Sequence, residues 1–210
     1  MRARAYTSHM STPALPPWDA QRPPPVPVRR FTVDEYRRLG ASGILAEDDA
    51  VELLEGWIVP KMVHNPPHDN AVELTDEVLR AHLPPGFSLR VQSAIDTNDS
   101  EPEPDLAIVR GLARTRLGRH PRPDEVVLVV EVADTSLDRD RGAKARIYAR
   151  AGIPVYWIVN VVDRQLEVYE APVATIEPTY REHHVHLPGT VVRLRFGEIE
   201  FSIDPADLMP

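Results

Sequence analysis

The run Val126-Val127-Leu128-Val129-Val130-Glu131-Val132-Ala133 holds five valines and a single charge, and it constrains the fold more than any other stretch. β-Branched side chains favour extended backbone, and a run that is apolar on both alternating faces belongs to a strand covered on both sides. Only Glu131 interrupts it. An ionised carboxylate in such surroundings is costly unless it is paired or binds a cation. The position therefore predicts a compensating group, and a second acid with a divalent metal would supply it.

The flanking segments hold the partners. Upstream, Glu103-Pro104-Asp105 is an acidic turn leading into Leu106-Ala107-Ile108-Val109, a run too short for a typical helix, so Asp105 is expected to open a strand and stand at its end. Downstream, residues 138–152 carry Ile147 and Tyr148 on a helical period and end at Gly152, a C-cap residue. Asp138 or Asp140 is expected to cap that helix. Asp140, Lys144 and Tyr148 are spaced i, i+4, i+8 and share one face. If that face turns to the strand ends, Lys144 reaches the carboxylates. After Pro154, residues 155–162 read as another buried strand, and a strand, helix, strand order implies parallel neighbours. Taken singly, Asp105 reads as a turn acid, Glu131 as half of a buried ion pair, and Lys144 as a solvated residue pairing with Asp140. Their conjunction points to metal-assisted phosphodiester hydrolysis, which uses carboxylates to hold a hard cation and a positive group to offset developing charge.

The rest of the chain reads as a mixed α/β arrangement. Thr32 and Glu35 form a capping box for a helix from about residue 32. Strands are expected around 51–62, a helix at about 68–82, and strands near 87–95 and 105–110. Arg110, Arg114, Arg116, Arg119 and Arg122 then form a loop without acids, open to two readings: a phosphate-contacting patch or a solvated loop. A turn at Asp163-Arg164 leads into Gln165-Leu166-Glu167-Val168-Tyr169 as an antiparallel partner, and residues 180–203 alternate enough for two more strands. His68 is expected to play a structural or capping part at a helix start. His183, His184 and His186 alternate as on an exposed strand face, with metal binding as the second reading.

Composition bounds the function. Seven of the 22 prolines fall by residue 27, so residues 1–29 are expected to form a disordered or polyproline leader before one domain at 30–210. The absence of Cys excludes disulfides and thiolate metal sites and fits a reducing cytoplasm. No apolar run approaches the ~18 residues of a membrane span, and the N-terminus lacks the apolar segment of a secretory signal. A net charge of −8 and a pI near 5.5 oppose non-specific attraction to DNA. The Arg-rich loop and the basic helix (Arg139, Arg141, Lys144, Arg146, Arg150) are expected to form a positive rim that compensates.

Glu52-Leu53 with Gly56, then His68, Pro104-Asp105, Glu131-Val132, Asp140-Arg141-Gly142-Ala143-Lys144, Tyr148, Ala149, Gly152 and Tyr156-Trp157 occur in an order and spacing that resembles the Uma2 (DUF820) family of restriction-endonuclease-like proteins in the PD-(D/E)XK nuclease superfamily. The likeness covers roughly residues 31–170. It implies a nuclease core, a central mixed sheet flanked by helices, with Asp105 and Glu131 as metal ligands, the Val132 carbonyl as a further ligand, and Glu52 beside the site. The implied cation is Mg²⁺, with Mn²⁺ as a substitute, and the implied substrate is DNA. The superfamily's motif Lys would fall at Ala133, and the resemblance moves that role to Lys144. Glu55 stands where the family usually has Asp before Gly, and Asp134-Thr135-Ser136 replaces its usual Ser-Pro-Ser. Since such nucleases often dimerise, a homodimer is also implied.

Three readings follow. In the first, the chain is a Mg²⁺-dependent endonuclease in which Asp105, Glu131, Lys144 and Glu52 converge. The second is a catalytically silent nuclease fold kept for nucleic-acid binding or regulation. The third is an unrelated metal-dependent hydrolase of small phosphoesters, which a closed pocket would favour over a groove.

Overall fold

The computed structural model describes residues 28–46, 48–196 and 199–210. The expected proline-rich leader falls, up to residue 27, outside the described residues.

The Val-rich run forms β5 (Val126–Ala133), buried at every residue, at the centre of a six-stranded sheet. Around it lie β3 (Phe87–Val91), β4 (Leu106–Arg110), β6 (Val155–Asn160), β7 (Gln165–Val173) and β8 (Thr179–His186), in the order β3-β4-β5-β6-β7-β8. The sheet is mixed. β5 and β6 are parallel, as the intervening helix requires, and the other neighbours pair antiparallel.

The period-two alternation sorts side chains onto two cores. Ile108, Val130, Val132 and Trp157 face helix α2 (Pro66–Ala81) and the C-terminal Leu208. Ala107, Val129, Ala133 and Tyr156 face Ile147 and Tyr148 of the crossover helix. Each fully buried Val, Leu or Ile in these layers contributes about 1.5–3 kcal/mol of transfer free energy. Helix α3 runs through three pieces: α-helical Leu137–Arg139, a wide π-helical turn Asp140–Lys144, and α-helical Ala145–Arg150.

Helix α1 (Val33–Ala41) starts with the expected Thr32/Glu35 capping box. Several boundaries differ from expectation. The strands expected around 51–62 form a hairpin, β1 (Val51–Leu54) and β2 (Trp57–Pro60), whose turn comes at Glu55 and Gly56, which take positive φ of 49° and 78° and reverse the chain. Helix α2 begins at Pro66, and its cap is Asn65, whose side chain accepts from the His68 N–H at 3.1 Å, so His68 is not the cap. Neither Asp138 nor Asp140 caps α3, which starts at Leu137 after Ser136. Residues 180–203 hold part of β8 and a separate hairpin, β9 (Val192–Phe196) with β10 (Ile199–Ile203), which gives three strands where alternation suggested two. Among the described residues no helix is long and apolar enough to cross a membrane.

Candidate active site at the ends of β4 and β5

Leu106 pairs with Val130, so Asp105, one step earlier, comes level with Glu131 on the neighbouring strand. Glu131 alternates with Val130 and Val132, which places it on the α3 side of the sheet with Val129 and Ala133. There the Lys144 ammonium donates to Glu131 Oε2 at 2.9 Å, and the Tyr148 hydroxyl donates to Oε1 at 2.6 Å. Asp105 Oδ2 accepts from the Val132 N–H at 2.8 Å and lies 3.3 Å from His68 Nε2. Glu52 approaches from β1: its Oε2 is 3.9 Å from Lys144 Nζ and accepts from the Glu103 N–H at 3.2 Å, while Oε1 is 3.7 Å from Arg139. The four side chains singled out in the sequence, with Val132, thus border one cavity of about 260 Å³.

All four are buried, with Glu52 2%, Asp105 7%, Glu131 3% and Lys144 7% exposed. Asp140 joins them at 1% exposed and accepts a short hydrogen bond from the Ser136 hydroxyl. The sequence placed Asp140 on the right face but offered it as a helix cap; its burial depends on how closely α3 packs on the sheet. The π turn is part of that packing: the Ala145 N–H reaches back to the Asp140 carbonyl, which also accepts from the Tyr156 hydroxyl at 3.1 Å.

Four buried carboxylates here face one buried ammonium and the Arg139 guanidinium. Burial pushes the Glu131 carboxyl well above its ordinary range, against the pull of Lys144, with Asp140 and Asp105 adding to the rise. Burial also lifts Asp140 to about 6, although Lys144 and Ser136 oppose it. For Lys144, burial acts to lower the pKa, but the attraction of Glu131, Glu52, Asp140 and Asp105 outweighs it and the group stays charged. His68 is likewise raised, because Asp105 and Asp69 outweigh its burial. The carboxylates and a main-chain carbonyl are hard oxygen donors of the kind that suits Mg²⁺ or Mn²⁺, and their excess negative charge is what such a cation would neutralise. The residues present fit the implied metal.

His68 and Asn65 also border the cavity. Sequence reading assigned His68 a structural part, and its contact with Asp105 was visible only as one member of the family pattern. The cluster His183, His184 and His186 lies elsewhere, on β8.

The expected positive rim is not formed by α3. Arg141 is bonded to the buried Glu167 at 2.6 and 3.0 Å, Arg146 holds Glu55 at 2.7 and 3.1 Å, and Arg150 holds both Glu55 and Asp99. Arg139 donates to the Pro60 carbonyl at 2.9 Å. In the Arg-rich loop, Arg116 is buried against Ser88 and the Arg110 carbonyl, and Arg119 pairs with Glu125, which lies just beyond the stretch without acids.

A mixed α+β sheet with two acids level at adjacent strand ends and a Lys brought in by the crossover helix defines a nuclease-like fold. The chain belongs to the Uma2 family: the family model, described as "Putative restriction endonuclease", matches residues 33–206. Among solved structures it is similar to a "putative nuclease belonging to DUF820" from Anabaena variabilis, at 16% identity and a TM-score of 0.60, covering 85% of this chain and 97% of that one. At that identity the likeness shows the fold. No curated protein matches the sequence.

Proposed function

We propose that the protein is a metal-dependent endonuclease that hydrolyses phosphodiester bonds, with DNA as substrate. The observation that carries this reading is the convergence of Asp105, Glu131 and Lys144 on one cavity, with Lys144 Nζ 2.9 Å from Glu131 Oε2. Asp105, Glu131 and the Val132 carbonyl would hold Mg²⁺ or Mn²⁺, which when bound supplies Lewis-acid polarisation of a phosphate oxygen and a more acidic water. Lys144 stays charged, so it can orient an attacking water or offset negative charge gathering on the phosphate. The Val132 N–H and His68 hold Asp105, Tyr148 holds Glu131, and the Glu103 N–H holds Glu52, so the acids are oriented before substrate arrives.

The net charge of −8 and the internally paired arginines of α3 support weak, salt-sensitive DNA binding rather than a strong non-specific grip. Incubation of supercoiled and single-stranded DNA with Mg²⁺ or Mn²⁺ at low salt, with and without chelator, tests the reading. Chelator-sensitive cutting supports it. Metal binding without cutting would favour the silent binding module.

A further inference from the structure

The cavity at Asp105 and Glu131 is also bordered by His64 and Gln92, two exposed residues to which the proposed chemistry assigns no part. Gln92 follows β3, and its main-chain N–H donates to the Asp105 carbonyl at 2.8 Å. It takes φ +42°, a left-handed conformation that a glycine would adopt without strain. Strain of this kind persists where the surroundings hold a residue to a task, and it clusters at functional sites. The side chain that Gln92 keeps there makes one contact: its amide nitrogen lies 3.3 Å from His64 Nδ1. The His64 ring also stacks on the ring of buried His68, with 4.2 Å between centroids, and His68 Nε2 lies 3.3 Å from Asp105 Oδ2. His64 is thus held from two directions beside one of the proposed metal ligands.

The two ring nitrogens of His64 differ in what they can do. With the Gln92 amide donating to Nδ1, the ring proton sits on Nε2. Asp69 Oδ1, 3.7 Å from Nδ1, is beyond hydrogen-bond range. Among the described residues nothing pairs with His64 Nε2. The cations bordering the same cavity are already committed: Lys144 to Glu131 at 2.9 Å, Lys61 to Glu103 at 2.7 Å, and Arg139 to the Pro60 carbonyl at 2.9 Å. We propose that His64 is a substrate-binding residue of this site, its Nε2–H donating to a non-bridging oxygen of the phosphate in the cavity. Gln92 is then a positioning residue, which fixes the His64 tautomer. The inference rests on the nuclease reading and adds a contact on the Asp105 side of the phosphate, as Lys144 supplies one on the Glu131 side. A donor oriented in advance stabilises charge that gathers on the phosphate oxygens.

Cleavage kinetics with Mg²⁺, and affinity for labelled oligonucleotides with Ca²⁺ in its place, test it on wild type, His64→Phe and Gln92→Gly. His64→Phe keeps a ring to stack on His68 and removes the N–H, so kcat/KM should fall at least about tenfold while Tm holds. Gln92→Gly relieves the positive φ, so Tm should hold or rise while kcat/KM falls. A purely structural Gln92 would give the reverse, a lower Tm with unchanged kcat/KM, and would overturn its positioning role. Wild-type cutting by His64→Phe would overturn the inference and leave the nuclease reading standing. So would a loss of Mn²⁺ affinity in that variant, read by calorimetry, because His64 would then be a metal ligand with His68 and Asp69, whose donor atoms lie within 4.8 Å of one another. A wild type that does not cut sinks the nuclease reading, and affinity then decides the inference. Binding weaker at least about threefold in His64→Phe supports the phosphate contact; equal binding, or none by wild type, overturns it.

Discussion

Lys144 Nζ lies 2.9 Å from Glu131 Oε2 with both side chains almost wholly buried, so the crossover helix and the central strand are joined by an ion pair shielded from water. Removing one partner leaves the other charge uncompensated. Lys144→Met is expected to cost about 3–5 kcal/mol of unfolding free energy, and adding Glu131→Gln should return part of it. Urea denaturation of the two variants and wild type in chelator measures the difference. Equal stability of the single and double variants would show that the pair is not coupled.

Two acids give opposite pH signatures. The Glu167 carboxyl is opposed by burial but brought down from 4.5 to about 2 by bonds from Arg141, Asn160, Gln165 and Tyr169. Its contribution is therefore present above about 4.5 and lost as pH falls through about 2. Asp140 is raised by burial from 3.8 to about 6. In metal-free protein its contribution is present below about 3.8 and lost as pH rises through about 6. Urea midpoints across this range should show a shallower acid-side decline in Glu167→Gln and a smaller loss near pH 6 in Asp140→Asn.

Gly56 closes the β1–β2 hairpin that carries Glu52, with φ +78°. A Cβ there would lie 2.5 Å from Arg30 Cβ and 3.0 Å from the Phe31 carbonyl oxygen. Gly56→Ala combines left-handed strain with a backbone clash and is expected to lower stability by about 1–3 kcal/mol. A thermal melt reads it, and an unchanged Tm would contradict the turn geometry.

Arg146 is held by Glu55, while Arg114 is exposed. Arg146→Ala should lower the unfolding midpoint and leave the salt dependence of DNA binding unchanged. If the loop touches phosphate, Arg114→Ala should reduce the slope of log K against log salt by about 1. Fluorescence anisotropy over a salt series separates the two effects.

The central strand, the crossover helix and the parallel β5–β6 pair were legible because an eight-residue Val-rich run and an i, i+4, i+8 face each allow few alternatives. Glu131 was legible as a candidate because a charge inside an apolar run needs an explanation; Asp105 and Lys144 followed from the turn before β4 and from the helix face, and Glu52 came only from the family pattern. The capping alternative failed for His68 and for Asp140, because both take their significance from contacts across elements, with Asp105 and with the packed face of α3. The positive rim failed similarly. Its arginines were counted along the helix, whereas their acids, Glu55, Asp99 and Glu167, come from other elements. The strand break at residues 55–56 had only the Glu-Gly pair to announce it.

The most direct test is the cleavage rate on supercoiled DNA with Mg²⁺ for wild type, Asp105→Asn and Glu131→Gln, each checked for a native circular dichroism spectrum. The account predicts chelator-sensitive cutting by wild type and a loss of at least about a hundredfold in both variants. Cutting that persists at the wild-type rate in either folded variant would contradict it.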